Sequence, residues 1–324
     1  EIGVRLVGSE MCIRDRRYGF ASVTMEVKNR TIPIDMGIMA IEESFDKILI
    51  ENNRRREGLI MAFDESMTWN ERKQTRELKL KDGASWSYKL GSPNFSNIKV
   101  FNQNKVLSDP KLAKQLEIAK NLLDGLRKKT LTISEVFDLD KLTTFVALSN
   151  LFGGSHGLVA HNIRMYYNPI TNKLEPLSFD SGSGEKLTKL YHYPFSGWDP
   201  AYSKMMAEKL EWVSSEHYIN EMLNNQEDEL SAIVQYLKGE FTFEFDKTIL
   251  EYNANFIRKH LAPSDVVVTS LLDYKEGSMN ISVQNLSEFF VEVDHLKHKD
   301  GKLLNTNSEV ITLKSGEKRI ITFK

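Results

Sequence analysis

An asparagine and an aspartate on either side of one short segment have the types and spacing needed to bind a metal ion. Residues 163–167 and 174–179 contain apolar and aromatic side chains, and the polar stretch 168–173 begins with Asn-Pro, which favours a turn. We predict an antiparallel hairpin, whose two open ends lie side by side. Asn162 then stands at its start and Asp180 at its end, so that an amide oxygen and a carboxylate can converge on one ion.

These residues also have structural alternatives. Asp180 precedes a Ser-Gly-Ser-Gly run, residues 181–184, and can simply cap that turn. Asn162 can hydrogen-bond loop backbone instead of an ion. Arg164, one strand repeat beyond Asn162, can reach a phosphate group or pair with Glu175 across the hairpin, and the spacing favours the pair.

Two long stretches of the chain resemble the CotH family of spore-coat protein kinases, in its large bacterial branch. They are residues 37–65, GIMAIEESFDKILIENNRRREGLIMAFDE, and residues 136–180, VFDLDKLTTFVALSNLFGGSHGLVAHNIRMYYNPITNKLEPLSFD. The resemblance extends over about residues 17–263. It implies an atypical kinase-like fold, in which a catalytic loop ends in Asn, a short hairpin follows and a metal-binding Asp comes next.

The resemblance also implies roles for individual residues. Asp180 matches the family's Asp that holds Mg²⁺, and Asn162 is the natural second ligand. Glu43 matches a Glu that lies beside the nucleotide, and Arg164 is a candidate for contact with a phosphate. The implied reaction transfers a phosphoryl group from ATP to Ser or Thr of a coat or extracellular protein, so we expect a secreted, cell-surface or coat-associated protein.

The general base departs from the family pattern. Founding members have an Asp a few residues before the Asn, whereas residues 153–162 contain no carboxylate and only His156 stands in a comparable place. A neutral imidazole, with a pKa of about 6.5, can accept a proton at pH 7. A loop histidine is also a common hydrogen-bonding group, so both activity through His156 and loss of kinase activity remain open. We expect His161 to point away from Asn162 and to be structural.

The first residues differ from the rest of the chain. Residues 6–16, LVGSEMCIRDR, resemble translated sequencing-adapter read-through, and we predict that residues 1–16 lie outside the native fold. The alternative is an ordinary basic N-terminal arm. We expect the first strands of the N-terminal lobe, and a phosphate-contacting Lys, to lie upstream of Arg17.

Composition limits the classes of partner. A formal net charge of -2 gives no electrostatic case for nucleic acid or an anionic membrane. The single cysteine, Cys12, lies in the adapter-like segment, which leaves the rest of the chain without a disulfide or a thiolate metal site. Apolar runs such as residues 145–148 are much shorter than the roughly 18 residues that span a bilayer. We expect a monomer without a membrane span.

Periodicity predicts an α+β chain with two domains. The resemblance implies that residues 17–263 form a kinase-like domain with an incomplete N-terminal lobe, and the short β runs predict that residues 264–324 form a small β-sandwich-like domain, which we expect to be cut short at its end. Within the first domain, residues 21–38 predict a hairpin with one buried face, residues 71–104 predict loops and short strands, and residues 202–262 predict about three amphipathic helices.

Two aspartates mark predicted helix starts. Asp109 precedes Pro110, an arrangement typical of a first helical turn. Asp140 stands ahead of a wide apolar stripe that ends at Gly153-Gly154.

Two alternatives to the kinase stay open. Fungal relatives of the family act as adhesive invasins, so the chain can instead be a catalytically impaired cell-surface binding or adhesion module with a kinase-like fold. A metal-dependent hydrolase that uses His156, His161 and Asp180 has suitable ligand types but too few defined spacings.

Overall fold

The computed structural model describes most of the chain, and it shows a mixed α+β protein, as predicted. The adapter-like segment lies outside the described residues, as do the tip of the first hairpin and most of the region after the second helix. The described residues are 17–28, 32–77, 93–195, 199–242, 244–275, 277–297, 303–306 and 310–324.

The described elements follow one another in three groups. The first group contains, in chain order, β1 (Tyr18–Met25), β2 (Ile34–Glu42), α1 (Lys47–Asn52), β3 (Ile60–Phe63), α2 (Ser66–Glu77), β4 (Ile98–Val100), α3 (Gln103–Ser108), α4 (Pro110–Arg127), α5 (Ile133–Val136) and α6 (Leu139–Leu151). The second contains the 3₁₀ turns Ser155–Leu158 and Ala160–Asn162, then β5 (Arg164–Asn168), β6 (Lys173–Leu177), α7 (Pro200–Val213), α8 (Glu216–Asn225), α9 (Glu227–Leu237), α10 (Thr248–Leu261) and α11 (Pro263–Val266). The third contains β7 (Val267–Lys275), β8 (Ser278–Asn285), β9 (Val291–Val293), β10 (His295–Lys297), β11 (Leu303–Asn305), β12 (Ile311–Leu313) and β13 (Lys318–Phe323).

A four-stranded antiparallel sheet lies at the centre of the first two groups. Its strand order is β4-β3-β5-β6, and β5 and β6 form the predicted hairpin. All five residues of β5 are buried, because both faces of the sheet are covered. Met165 and Tyr167 pack into a large helical core, whereas Tyr166 points to the opposite face and packs with Leu49 and Ile50 of α1.

Helix starts follow side-chain capping, with one correction. The Asp109 carboxylate accepts hydrogen bonds from the first backbone N–H groups of α4, as predicted. The cap of α6 is Asp138, which accepts from the backbone of Lys141, so the assignment of this role to Asp140 is wrong. Asp140 lies inside the first turn, where its carboxylate instead forms an ion pair with Lys209 at 2.7 Å.

Other predicted elements differ more. Residues 71–77 belong to helix α2 rather than to a loop, and Pro200–Leu261 contains four described helices rather than three. The β1–β2 hairpin forms as a two-stranded ribbon, but several residues of the face predicted to be buried are exposed: Met25 and Met36 are each 42 % exposed and Ile32 79 %.

The C-terminal strands enclose a core of their own. Three small sheets, ordered β13-β8-β7, β12-β9 and β10-β11, pack around side chains such as Ile281, Leu313 and Phe323. Phe289, from the loop before β9, is the exception, because it is buried in the large helical core. No helix among the described residues is long and apolar enough to cross a membrane.

Candidate functional site

Two loops that pack against each other carry the candidate site. We name them the 153–163 loop, which links α6 to β5, and the 178–185 loop, which follows β6. Gly153 has a φ of +62°, and a Cβ atom there would lie 1.8 Å from the carbonyl oxygen of Glu185. The loops can approach this closely because glycine, which has no Cβ, occupies the point of contact.

Asn253 of α10 ties the end of α6 to the 178–185 loop. Its side-chain nitrogen donates to the carbonyl oxygens of Leu151 and Glu185, both at 3.0 Å, and its oxygen accepts from the backbone of Leu187 at 2.8 Å. The residue is fully buried. Sequence analysis missed it, because a polar residue in an amphipathic helix gives no local sign that it binds distant backbone.

Asn162, His156 and Asp180 meet where the two loops face each other. The side-chain nitrogen of Asn162 lies 3.3 Å from Oδ2 of Asp180 and 2.9 Å from Nδ1 of His156. That Nδ1 also lies 3.0 Å from the backbone oxygen of Asp180 and 3.3 Å from its Oδ2. The side chains of His156 and Asp180 are 50 % and 46 % exposed, whereas Asn162 is buried. A ligand can therefore reach the imidazole and the carboxylate.

These contacts of His156 all involve its Nδ1, and none of them involves Nε2. A protonated Nδ1 donates to the backbone oxygen of Asp180, whereas an unprotonated Nδ1 accepts from the amide of Asn162. In either tautomer Nδ1 stays within the cluster. Nε2 is thus the ring atom that can exchange a proton with a bound molecule, and it accepts one when Nδ1 carries the hydrogen.

His161 does not point away from the cluster, so that prediction is wrong. Its ring packs edge-on against the ring of His156, with the centroids 5.7 Å apart, because the backbone at Ala160–Asn162 is a 3₁₀ turn rather than extended chain. Burial lowers the pKa of His161, and the carboxylate of Glu65 opposes this shift without cancelling it.

Arg164 does not form the predicted pair with Glu175. Residue 164 lies opposite Leu177 in the hairpin, and its guanidinium turns to the carbonyl oxygen of His161, at 2.7 Å, and to the ring of Phe179. Among the described residues, Glu175 accepts a hydrogen bond from Asn168 at 2.6 Å and lies 3.9 Å from the guanidinium of Arg55. The register of the hairpin and the ring of Phe179 determine where the Arg164 side chain points, and residue spacing alone does not predict either of them.

Glu43 lies at the end of the ribbon and holds Arg17. The Arg17 guanidinium donates to the Glu43 carboxylate at 2.9 and 3.1 Å, and Asn52 donates to the same carboxylate. Burial acts to raise the pKa of Glu43, but hydrogen bonds from the Arg17 backbone N–H, the Arg17 guanidinium and Asn52 outweigh it and hold the pKa below its ordinary value. Phe45, two residues on, contacts Phe179 with centroids 5.6 Å apart, which places this segment next to the one that carries Asp180.

A comparison of the chain with models of known protein families finds no match, and neither does a comparison with curated proteins. The resemblance to the CotH family stays a prediction from the residues, and the functional case depends on the geometry of the site.

The donor groups of the cluster suit Mg²⁺ better than a transition metal. Within the part of the chain that the structure describes, no three His, Cys, Asp or Glu side chains are placed to share a metal ion, so His156, His161 and Asp180 do not form a hydrolase-type site. Mg²⁺ commonly takes one or two protein oxygens and keeps water and phosphate as its other ligands. Asp180 and Asn162 can supply such oxygens, although the amide of Asn162 must turn, because its nitrogen now faces the carboxylate.

Proposed function

We propose that this protein is an atypical, kinase-like phosphotransferase that uses ATP and Mg²⁺ and modifies Ser or Thr of a coat or extracellular protein. One observation carries the proposal most directly. An exposed carboxylate, a buried amide and an exposed imidazole converge within 3.3 Å of one another at the open end of a short hairpin. Phosphoryl transfer requires this kind of arrangement, since its catalysis depends mainly on positioning and on stabilising charge.

Asp180 and Asn162 are the residues that would hold the ion. Mg²⁺, when bound, neutralises charge on the phosphate oxygens and helps to orient them. The residues of the chain determine where this happens. Asp180 presents a half-exposed carboxylate on the 178–185 loop, and the Asn162 amide keeps the 153–163 loop against it through contacts with the Asp180 carboxylate at 3.3 Å and the Asp180 backbone oxygen at 3.4 Å.

His156 is proposed as the general base. With Nδ1 donating to Asp180, Nε2 accepts the proton of a substrate hydroxyl as that oxygen attacks the γ-phosphorus of ATP and the bond to ADP breaks. The proton ends on the imidazole and the phosphoryl group on the substrate. Glu43 binds Arg17, and Phe45, two residues after Glu43, contacts Phe179 next to Asp180. We propose that the nucleotide binds on this side of the cluster.

Replacing Asp180 tests the proposal. Asp180→Asn keeps the shape and removes the charge, so the affinity for ATP in the presence of Mg²⁺ should fall roughly tenfold or more, equivalent to about 1.4 kcal/mol per decade. Calorimetric titration with ATP, with and without Mg²⁺, measures this. Asp228→Asn, an exposed aspartate in the first turn of α9, is the matched control and should bind as the wild type does. Equal Mg²⁺-dependent binding in wild type and Asp180→Asn would contradict the metal assignment.

A binding or adhesion module is the second candidate, and one observation favours it. Apolar side chains stand exposed on the C-terminal three-stranded sheet, including Leu271 and Tyr274, each 61 % exposed, and Ile320, 62 % exposed. Exposed apolar groups of this kind are common where proteins meet partners. In this case Asp180→Asn should change neither nucleotide binding nor partner binding, so the same titration separates the two functions.

A further inference from the structure

Arg164 is a buried charge in direct contact with both loops of the site. The residue is 8 % exposed. Its Nη1 donates to the carbonyl oxygen of His161 at 2.7 Å and of Ile163 at 3.3 Å, both in the 153–163 loop. Its guanidinium also stacks over the ring of Phe179, in the 178–185 loop, with 4.3 Å between guanidinium carbon and ring centroid.

Two further aromatic rings lie near the guanidinium of Arg164. Phe45 and Phe101 lie 5.8 and 5.9 Å from the guanidinium carbon. Phe45 contacts both other rings, at 5.0 and 5.6 Å between centroids. The guanidinium is therefore held by aromatic faces as well as by carbonyl oxygens, a combination that suits planar arginine and not lysine.

Burying a guanidinium has a large desolvation cost. Removing a charge from water costs several kcal/mol unless good partners compensate it, and an aliphatic side chain would pack at this strand position without that cost. Among the described residues, the compensating partners include the backbone next to Asn162 and the ring next to Asp180. The contacts of Arg164 thus join the residues adjacent to the two proposed metal ligands.

We infer that Arg164 is a positioning residue, which holds the 153–163 loop and the 178–185 loop in register so that Asn162, His156 and Asp180 stay together. This inference rests on the proposed function. It replaces direct phosphate contact as the role of Arg164. Asn162 sits one residue from His161, whose carbonyl Arg164 binds, and Asp180 sits one residue from Phe179, on which it stacks.

The test compares Arg164→Lys with Arg55→Lys. The first keeps the charge but loses the planar stack, and the second changes an arginine that lies near Glu175 on the same sheet but has no described contact with either loop. Imidazole proton signals in NMR spectra report on the geometry of the cluster in the absence of ligand. Titration with ATP, with and without Mg²⁺, measures whether the cluster still supports Mg²⁺-dependent nucleotide binding. We expect Arg164→Lys to move the His156 and His161 signals and to weaken Mg²⁺-dependent ATP binding at least tenfold, while Arg55→Lys does neither.

A second variant covers the case in which Arg164→Lys does not fold. Phe179→Leu removes the stack but keeps an apolar side chain, and it should move the same two imidazole signals. Unchanged signals in the folded variants would overturn the inference. If wild type shows no Mg²⁺-dependent ATP binding, the proposed function fails, whereas the imidazole comparison still decides whether Arg164 holds the loops together.

Discussion

Asp180 adopts a backbone conformation that L-residues seldom use. Its φ is +47°, in the left-handed region, and Gly182 follows with +60°. This conformation costs a residue with a Cβ about 1–2 kcal/mol, although Asp tolerates it better than most. The turn brings both the carbonyl oxygen and the carboxylate of Asp180 to His156. Strain of this kind is common at functional sites, where the surrounding packing maintains it.

At the scale of the single residue, His156 gives the sharpest kinetic prediction. His156→Gln keeps a hydrogen-bonding side chain but cannot accept the substrate proton, so the rate of phosphoryl transfer should fall about 100-fold or more. Nucleotide affinity should change little, because the lost group acts on the proton of the hydroxyl. Single-turnover kinetics and calorimetry measure the two quantities. His217→Gln, whose side chain is 89 % exposed on α8, is the control; an equal loss of rate and affinity in His156→Gln would remove the base assignment.

At the scale of the elements, the site depends on how α6 ends. Gly153 lies just beyond the helix, its successor Gly154 bonds back to Ser149, and the backbone N–H of Gly184 donates to the carbonyl oxygen of Phe152 at 2.9 Å. The end of α6 thus accepts a backbone hydrogen bond from the 178–185 loop. Such an arrangement satisfies the last carbonyl groups of the helix and positions the loop at the same time.

Substituting Gly153 should therefore destabilise the protein more than substituting another glycine with positive φ. Gly153→Ala combines about 1–2 kcal/mol of backbone strain with a clash against Glu185 backbone. Gly277→Ala, at a turn with φ of +82° and no atom near its Cβ, carries the backbone strain alone. Urea unfolding of the two variants measures the difference. Equal losses of unfolding free energy would show that the loop contact is not tightly packed.

At the scale of the whole molecule, a loop before β9 links two cores among the described residues. Phe289 of the C-terminal part is buried in the helical core, the backbone of Phe290 donates to Ser203 of α7 at 3.1 Å, and Glu288 accepts from His192 at 2.8 Å. The C-terminal strands keep their own core as well. The loop at residues 287–290 is therefore the anchor between the two parts.

Truncating Phe289 should allow the C-terminal strands to unfold independently of the helical part. Phe289→Ala removes a 5 % exposed ring, a change that costs about 3–5 kcal/mol in a packed core. We expect unfolding of the C-terminal strands at lower urea than the helical part, and faster trypsin cleavage at Lys275. Leu286→Ala, at a 54 % exposed position in the same region, should leave both unchanged. A single transition and unaltered cleavage in Phe289→Ala would show that other contacts hold the parts together.

The neighbouring hydrogen bond between His192 and Glu288 predicts a dependence on pH. The hydrogen bond from His192 holds the pKa of Glu288 below its ordinary value of 4.5, an effect that burial opposes. A carboxyl group with a lowered pKa stabilises the fold above its ordinary pKa, and this contribution is lost as the pH falls through the lowered value. Wild type should therefore exceed Glu288→Gln in unfolding free energy at pH 6, and the difference should shrink as the pH falls below 4.5 and through the lowered pKa. A difference that grows on acidification would contradict this sign.

Local sequence was sufficient for the features that depend on near neighbours. The 164–177 hairpin follows from a turn of suitable residues between two apolar runs, and the start of α4 follows from Asp109 and its proline, because turn and cap preferences act over a few residues. The proximity of Asn162 to Asp180 follows in turn, since any antiparallel hairpin at this place brings its ends together.

Tertiary packing decided the features that depend on distant residues. The direction of Arg164 depends on the ring of Phe179 and on the carbonyl of His161. The position of the 178–185 loop against the end of α6 depends on Asn253, which is 102 positions from Leu151. No local preference encodes these contacts. They form because buried polar groups must find partners wherever the fold offers them, and the chain brings those partners together only once the helices and the sheet have packed.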